Sequence, residues 1–422
     1  MIRISRRAAA PLLALALVLT GTSALARARA PARAGAGWRI AKVFSPGPGY
    51  LLPQAVTASG ARNAWLLGLV PDPEPSFVTQ HWTGRRWRNV ALPGALHGVI
   101  GPWCLYSGIY TTAPDDTWFF PVLPRQHLQP VQYALRWTGT AWRTSEVTAG
   151  PDTVLDAAVF GPSDVWTFGE AGASFLPIGR AVVRRWNGRR WRTVTVPLGT
   201  PVSVSAAGPA DIWALGVSRA TVPDQDQTII PMHWNGARWS SPRLPAFRPV
   251  RPGYPWVATA ISAGARDVWV AETPAVNERT GTSPAGMILL RWNGRSWHTV
   301  ARSRHVSDVT SLTPDGHGGF WLASIFGSDI THYRDGTFTS QRAPGRRGVA
   351  TEITGAPGGS SLWATGRDST GTDILRYIPR SGPVDGPGSA QQGRQPALVT
   401  TGRPGDGWPP HYDYNCAAAF QP

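Results

Sequence analysis

A chain of 422 residues with 42% hydrophobic residues, 21 Trp and only two Cys is too long for a disulfide-framework miniprotein and too apolar for a disordered one. Its formal charge is +16, almost all of it from Arg, since Lys42 is the only lysine. No nucleophile-elbow, P-loop, dinucleotide, HExxH or EF-hand pattern occurs, and no Cys/His spacing suits zinc, so neither cofactor nor metal is expected.

Arg3, Arg6 and Arg7 precede an apolar run over 8–26 that is interrupted by Pro11 and Gly21. Ala24-Leu25-Ala26 sets small residues where a signal peptidase accepts them. The expectation is a cleaved signal peptide over 1–26 and a secreted, extracellular protein, with a retained anchor as the competing reading. Ser5-Arg6-Arg7 also resembles a weak twin-arginine signal, so the export route stays open. No other stretch is apolar enough to span a bilayer. Residues 1–26 hold three Arg and no acid, which leaves +13 on the remainder. In an exported protein that charge points to anionic envelope or extracellular polymer rather than nucleic acid. The competing reading is a coding bias displayed as a solvated surface.

Two signals then alternate along the chain. The first is a Trp after a Gly/Pro/Asp turn, at Trp65, Trp118, Trp166, Trp213, Trp269, Trp321 and Trp363 (GARNAW, APDDTW, GPSDVW, GPADIW, GARDVW, GHGGFW and GGSSLW). The spacings of 53, 48, 47, 56, 52 and 42 residues match a propeller-blade period. The second is W-[NT]-G-x-x-W, at 82–90, 137–145, 186–194, 234–242 and 292–300, with a weaker copy at 333–341. Asn-Gly between apolar-rich runs predicts a two-residue hairpin of type I′. Flanking β-like runs complete a unit of four strands, a to d.

The seventh unit has a strand b at 362–366 and a strand c at 374–378 but no strand d. The missing piece lies at 35–40, where Gly35 precedes Trp38 by three residues, as Gly84 precedes Trp87. The prediction is an all-β, seven-bladed propeller over 27–379 whose last blade is closed by an N-terminal strand. A Pro/Gly-rich tail follows over 380–422. Eighteen of the 21 Trp fall in repeat positions, and packing between blades explains them better than sugar stacking. Exposed cation–π pairs of Trp82, Trp186 and Trp292 with Arg85, Arg189 and Arg295 are a further expectation.

The alternation of D-[VI]-W-x-x-G with W-[NT]-G-x-x-W resembles the repeats of secreted actinobacterial propeller proteins and is broadly similar to kelch-like ones. The paired glycines of kelch repeats and the terminal Trp-Asp of WD repeats are missing. The resemblance implies the fold and does not choose among lyase, hydrolase, lectin and scaffold.

The a–b and c–d turns are short and uniform, and both lie on one face. The b–c and d–a connections lie on the other and vary, with long b–c loops expected at 71–76, 123–130, 170–179, 219–228 and 273–286. Trp103 and Trp256, the Trp outside the repeat apart from Trp408 in the tail, fall in d–a connections beside Tyr106 and Tyr254. The same face carries Asp72, Glu74, Glu170, Asp224, Asp226, Glu272 and Glu278. Candidate binding residues are therefore Trp103, Tyr106, Tyr254, Trp256, Glu170, Asp224, Asp226 and Glu278, on an acidic, aromatic face opposite a basic one of uniform turns. In an oxidising compartment Cys104 can pair with Cys416 and staple the tail near the channel mouth. His81, His233 and His332 share one repeat slot and are read as structural.

No catalytic constellation is expected. The favoured function is a monomeric, non-catalytic binding or scaffold protein that recognises a glycan, cell-envelope polymer or secreted protein through the variable face. The alternative is a polysaccharide-active lyase or hydrolase, which facing buried carboxylates in the channel would favour.

Overall fold

A computed structural model describes residues 37–44, 51–70, 76–94, 108–125, 128–148, 152–171, 180–196, 199–217, 229–248, 256–264, 267–274, 284–306, 309–315, 317–324, 329–344, 349–355, 361–368 and 371–378. Their regular structure is β throughout, arranged as seven sheets. Blade 1 is β2 (Leu52–Gly60), β3 (Asn63–Val70), β4 (Ser76–Trp82) and β5 (Trp87–Val90). Blade 2 is β6 (Ile109–Ala113), β7 (Asp116–Phe119), β8 (Val122–Arg125), β9 (Leu128–Trp137) and β10 (Trp142–Glu146). Blade 3 is β11 (Thr153–Gly161), β12 (Asp164–Ala171), β13 (Arg180–Trp186) and β14 (Trp191–Val194). Blade 4 is β15 (Thr200–Gly208), β16 (Asp211–Val217), β17 (Ile229–Trp234) and β18 (Trp239–Ser240). Blade 5 is β19 (Trp256–Ala263), β20 (Val268–Pro274), β21 (Met287–Trp292) and β22 (Trp297–Ser303). Blade 6 is β23 (Val309–Pro314), β24 (Phe320–Ser324), β25 (Asp329–Arg334) and β26 (Thr337–Arg342).

Blade 7 joins the two ends of the ring. Its order is β27 (Val349–Gly355), β28 (Leu362–Asp368), β29 (Gly371–Ile378) and β1 (Gly37–Phe44). Trp38 pairs with Tyr377 and Ile40 with Leu375 in the antiparallel β1–β29 ladder. The innermost strands touch in sequence around the ring, and β27 meets β2. Every sheet is covered on both faces by its neighbours, so strand b reads as an apolar run without alternation, as in NAWLLGLV of β3.

The repeat Trp seal the blade interfaces. All seven are buried, from 0% to 8% exposed. Each meets the strand-c aromatic of the next blade, and all but Trp269 also meet its strand-d Trp. Trp65 packs on Trp137 and Trp142 at 5.6 and 5.7 Å between centroids. Trp166 packs on Trp234 and Trp239, and Trp213 on Trp292 and Trp297. Trp269 meets Tyr333, the Trp substitute of the weak sixth copy. Trp321 meets Tyr377 and Trp38, so β1 supplies the missing ring of blade 7.

The motif glycine three residues after the Trp is a point of close approach. A Cβ on Gly169 would sit 1.8 Å from the Thr153 carbonyl oxygen, and one on Gly68 would sit 2.3 Å from Leu51 Cδ2. The inner strand is bulged at this level, pressing it onto strand b.

Three expectations are corrected. The W-[NT]-G-x-x-W hairpins are not two-residue type I′ turns. Their Trp face each other directly, as in Trp186–Trp191, leaving four residues between them. Only Gly188 is left-handed there, at φ 88°, while Asn187 Oδ1 accepts the N–H groups of Arg189 and Arg190. The two-residue form occurs at Asp335-Gly336, with φ 50° and 79°. The long b–c loop at 123–130 is instead a ladder in which β8 pairs with β9, Val122 opposite Gln132 and Arg125 opposite Leu128. The cation–π contacts among described residues do not involve Arg85, Arg189 or Arg295; a strand-c Arg covers the strand-b Trp of its own blade.

Candidate binding site

At the turn end of the disc, the residue before each strand-c aromatic is His or Arg and lies over the strand-b Trp. His81, His233 and His332 stack on Trp65, Trp213 and Trp321 at 4.4, 4.1 and 4.2 Å. Arg185, Arg291 and Arg376 cover Trp166, Trp269 and Trp363 at 4.9, 5.2 and 5.1 Å. Arg136 covers Trp118 at 5.9 Å. The same side chains reach back to the a–b turn: His81 to Asn63 at 2.6 Å, Arg136 to Asp116 at 2.7 Å, Arg185 to Asp164 at 2.8 Å and His233 to Asp211 at 2.9 Å. Arg291 pairs with Asp267, and His332 with Asp315 at 2.9 Å. The Asp of the D-[VI]-W motif therefore orients a cap on its own Trp. A groove of about 710 Å³ opens here between blades 4 and 5, but Asp211, His233, Asp267 and Arg291 in its wall already serve these caps. The c–d turns leave Arg85, Arg86, Arg189, Arg190, Arg238 and Arg295 exposed, which makes this end basic.

The inner strands hold a second pattern. Ten residues before the repeat Trp (nine in blade 5, eleven in blade 7) stand Ala55, Gly108, Asp156, Ser203, Ala260, Ser311 and Glu352. The six of these that lie in strands oppose the residue two after the Trp, so they share one level of the ring, as Asp156 opposite Phe168 and Glu352 opposite Thr365. Blade 2 contributes an oxygen indirectly. Gly108 has no side chain, and Tyr110 folds across it, with Oη 2.4 Å from where a Cβ would lie.

Asp156 ties three blades together at this level. It accepts the Tyr110 hydroxyl at 3.0 Å, the N–H of Ala157 at 2.7 Å and the N–H of Val204 at 2.7 Å. Ser311 Oγ likewise accepts the Ile353 N–H at 3.1 Å. Ser203 Oγ and Glu352 Oε1 have no hydrogen-bond partner, and the two residues are 1% and 9% exposed. Burial, with the Asp156 charge second, pushes the Glu352 carboxyl up to about 8. Burial and the same two carboxylates hold the Tyr110 hydroxyl well above its ordinary value. Sequence reading missed this ring, although aligning the repeats on Trp displays it as one column.

Toward the loop end, blade 5 departs from the motif. Glu272 occupies the slot that holds Gly68, Gly169, Gly216 and Gly366 in other blades. It is 4% exposed, its Oε2 has no partner, and burial pushes it up to about 7 against the opposing pull of Arg302.

Of the predicted binding residues, Glu170 is not in a loop. It lies in β12 opposite Thr153 and is fully buried, because the blade 3 ladder runs one residue beyond it to Ala171. Trp256 opens β19 opposite Pro274 rather than lying in a connection. Trp103, Tyr106, Tyr254, Asp224, Asp226 and Glu278 lie outside the described residues, as do Cys104, Cys416, the 1–26 segment and the 380–422 tail. Among the described residues no helix is long and apolar enough to cross a membrane.

No family model and no curated protein matches the chain. Solved structures do. A virginiamycin B lyase from Staphylococcus aureus aligns at TM-score 0.52 and 9% identity, over 81% of this chain and 100% of that one. YCF48 bound to D1 peptide aligns at 0.50 and 12%, over 81% and 96%. The β-propeller domain of the Trilobed protease from Pyrococcus furiosus, described as an open velcro topology, aligns at 0.50 and 9%, over 78% and 95%. At these identities the likeness carries the fold alone.

Proposed function

We propose that this chain is an exported, non-catalytic binding propeller that recognises a glycan, cell-envelope polymer or secreted protein through its variable loop face. The observation that carries the reading is the unequal use of the two ends. The turn end is consumed by seven Trp caps and hairpin turns, a scaffold role that leaves only a solvated Arg surface. Unspent polarity lies toward the other end, where Glu272 stands buried in a slot that four other blades give to Gly. The repeats' likeness to those of secreted propellers and the signal-like 1–26 segment support export.

The second reading is a lyase or hydrolase acting on polysaccharide, and the gathering of Tyr110, Asp156 and Glu352 favours it. Against it, these groups are buried among inner strands, out of reach of a polymer lying on the face.

The test is binding of the purified chain to cell-wall fractions and a glycan panel at low and high salt, with a Trp103→Ala, Trp256→Ala double variant. Salt-resistant binding that disappears in the double variant is the expected result. Binding that vanishes with salt, which screens surface charge within about 8 Å at physiological strength, and that ignores the variant would assign adhesion to the Arg face and remove the loop face from consideration. Release of unsaturated or reducing ends from any bound glycan would decide for the enzyme.

A further inference from the structure

The inner ring brings oxygen atoms from five of seven blades to one level: Tyr110, Asp156, Ser203, Ser311 and Glu352. We propose that this ring is a seat for a single hard metal cation, Ca²⁺ in preference to Mg²⁺, held by Asp156 and Glu352 and completed by the hydroxyl oxygens. The seat stands on its own and does not rest on the loop-face reading.

Four observations carry it. First, Asp156 and Glu352 belong to blades 3 and 7 yet occupy the same register position, each just past the bulge of its inner strand. Second, two side-chain oxygens at this level, Glu352 Oε1 and Ser203 Oγ, are at least nine-tenths buried without a hydrogen-bond partner. Such atoms each cost about 1–3 kcal/mol when nothing satisfies them, a cost that a bound cation would relieve. Third, the donors are all oxygen, with no thiol or imidazole, which selects hard cations. Fourth, every ring side chain described is buried, which keeps a polymer out of this level.

Ca²⁺ accepts six to eight oxygens in adaptable geometry, whereas Mg²⁺ demands a small octahedron and gives up water reluctantly. A ring built on sevenfold repetition suits the former. Among the described residues no group of three or more His, Cys, Asp or Glu gathers, so affinity here depends on the hydroxyls as well as the two carboxylates. Asp156 is preorganised for the task, since Tyr110 and two backbone N–H groups fix its orientation.

The test uses the full chain stripped with chelator. Ca²⁺, and separately Mg²⁺, is titrated by calorimetry and by thermal unfolding, and Tb³⁺ luminescence is excited through the aromatic rings and competed with Ca²⁺. The expected result is one Ca²⁺ per chain, a rise in Tm that chelator reverses, and a weaker response to Mg²⁺. Glu352→Gln should weaken Ca²⁺ binding by about ten-fold or more, in line with the loss of a ligand or of its support. Ser203→Ala, which removes one atom and leaves the fold intact, should weaken it a few-fold. A stripped wild type that responds to neither ion overturns the proposal. So does a Ca²⁺ response unchanged in both variants, which would place the ion on surface carboxylates. Should Glu352→Gln fail to fold, the Ser203→Ala titration decides.

Discussion

His332 lies flat on Trp321, with ring centroids 4.2 Å apart and planes 16° from parallel, while its Nε2 reaches Asp315 at 2.9 Å. Asp315 also accepts the N–H groups of His317 and Gly319, closing the a–b turn of blade 6. Burial alone would raise its carboxyl, but the bonds from His332, His317 and Gly319 outweigh this and hold it at about 2. The folded value lies below the unfolded one near 4, so the stabilisation is present above pH 4 and is lost as pH falls through 2. Denaturant unfolding should show a loss of about 1–2 kcal/mol across that window, absent in Asp315→Asn. An identical acid limb in the variant would remove this contact from the stability of blade 6.

Glu272 runs the other way. Its carboxyl is pushed up to about 7 by burial, above an unfolded value near 4.3. The folded state favours the proton, so the contribution is full below pH 4 and is lost as pH rises through 7. Between pH 5 and 8 the wild type should lose about 2–3 kcal/mol. Glu272→Gln keeps the volume without the charge, so it should flatten that limb and be the more stable protein at pH 8. Equal urea midpoints for variant and wild type at pH 8 would mean that water or a neighbour already relieves the charge.

Repetition made the fold readable. Trp65, Trp118 and their counterparts occur seven times at fixed distance from turn residues, and the half-repeat at Trp38 declares closure because ring and sequence count the same units. Turn geometry was read less well. Asn-Gly permits a type I′ turn, but two Trp prefer to face each other across the ladder, and their pairing lengthens the loop to four residues that the Asn side chain then caps. The inner ring escaped notice because Asp156, Ser203 and Glu352 are unremarkable singly, and only their common register gives them meaning. Glu170 misled for a related reason: a Glu after Gly reads as loop, yet the ladder continues past it.

Lys42 offers a reporter on ring closure, since it is the only lysine in the chain. It lies half-buried in β1, bonds Gln80 of blade 1 and sits 4.8 Å from the Phe44 ring, with burial lowering its affinity for a proton. Acylation of its ε-amine should be slow in the native protein and rise in parallel with Trp fluorescence change across a denaturant series. Fast labelling well before the fluorescence transition would show that β1 opens separately from the body. Lys42→Met, which keeps the stem and deletes the bond, should cost about 1 kcal/mol.

Trp38 and Trp87 occupy the same strand-d position in blades 7 and 1, but only the second is held by a hairpin. Trp87 packs on Trp363 at 5.4 Å and is joined to β4 through residues 83–86. Trp38 packs on Trp321 at 5.6 Å and Tyr377 at 5.7 Å, and no such turn ties β1 to β29. Either Trp→Ala change should remove about 3–5 kcal/mol of burial, but the consequences should differ. In Trp87→Ala the tether keeps β5 registered, so amides of β4 stay protected until global unfolding. In Trp38→Ala the β1 strand should peel away first, exposing the edge of β29. Hydrogen exchange should then accelerate at least about ten-fold at the β29 amides that pair with β1, and the variant should associate as its concentration rises. Matching exchange in the two variants would mean that the β1–β29 ladder holds without its Trp, and that closure of the ring resides in the backbone pairing alone.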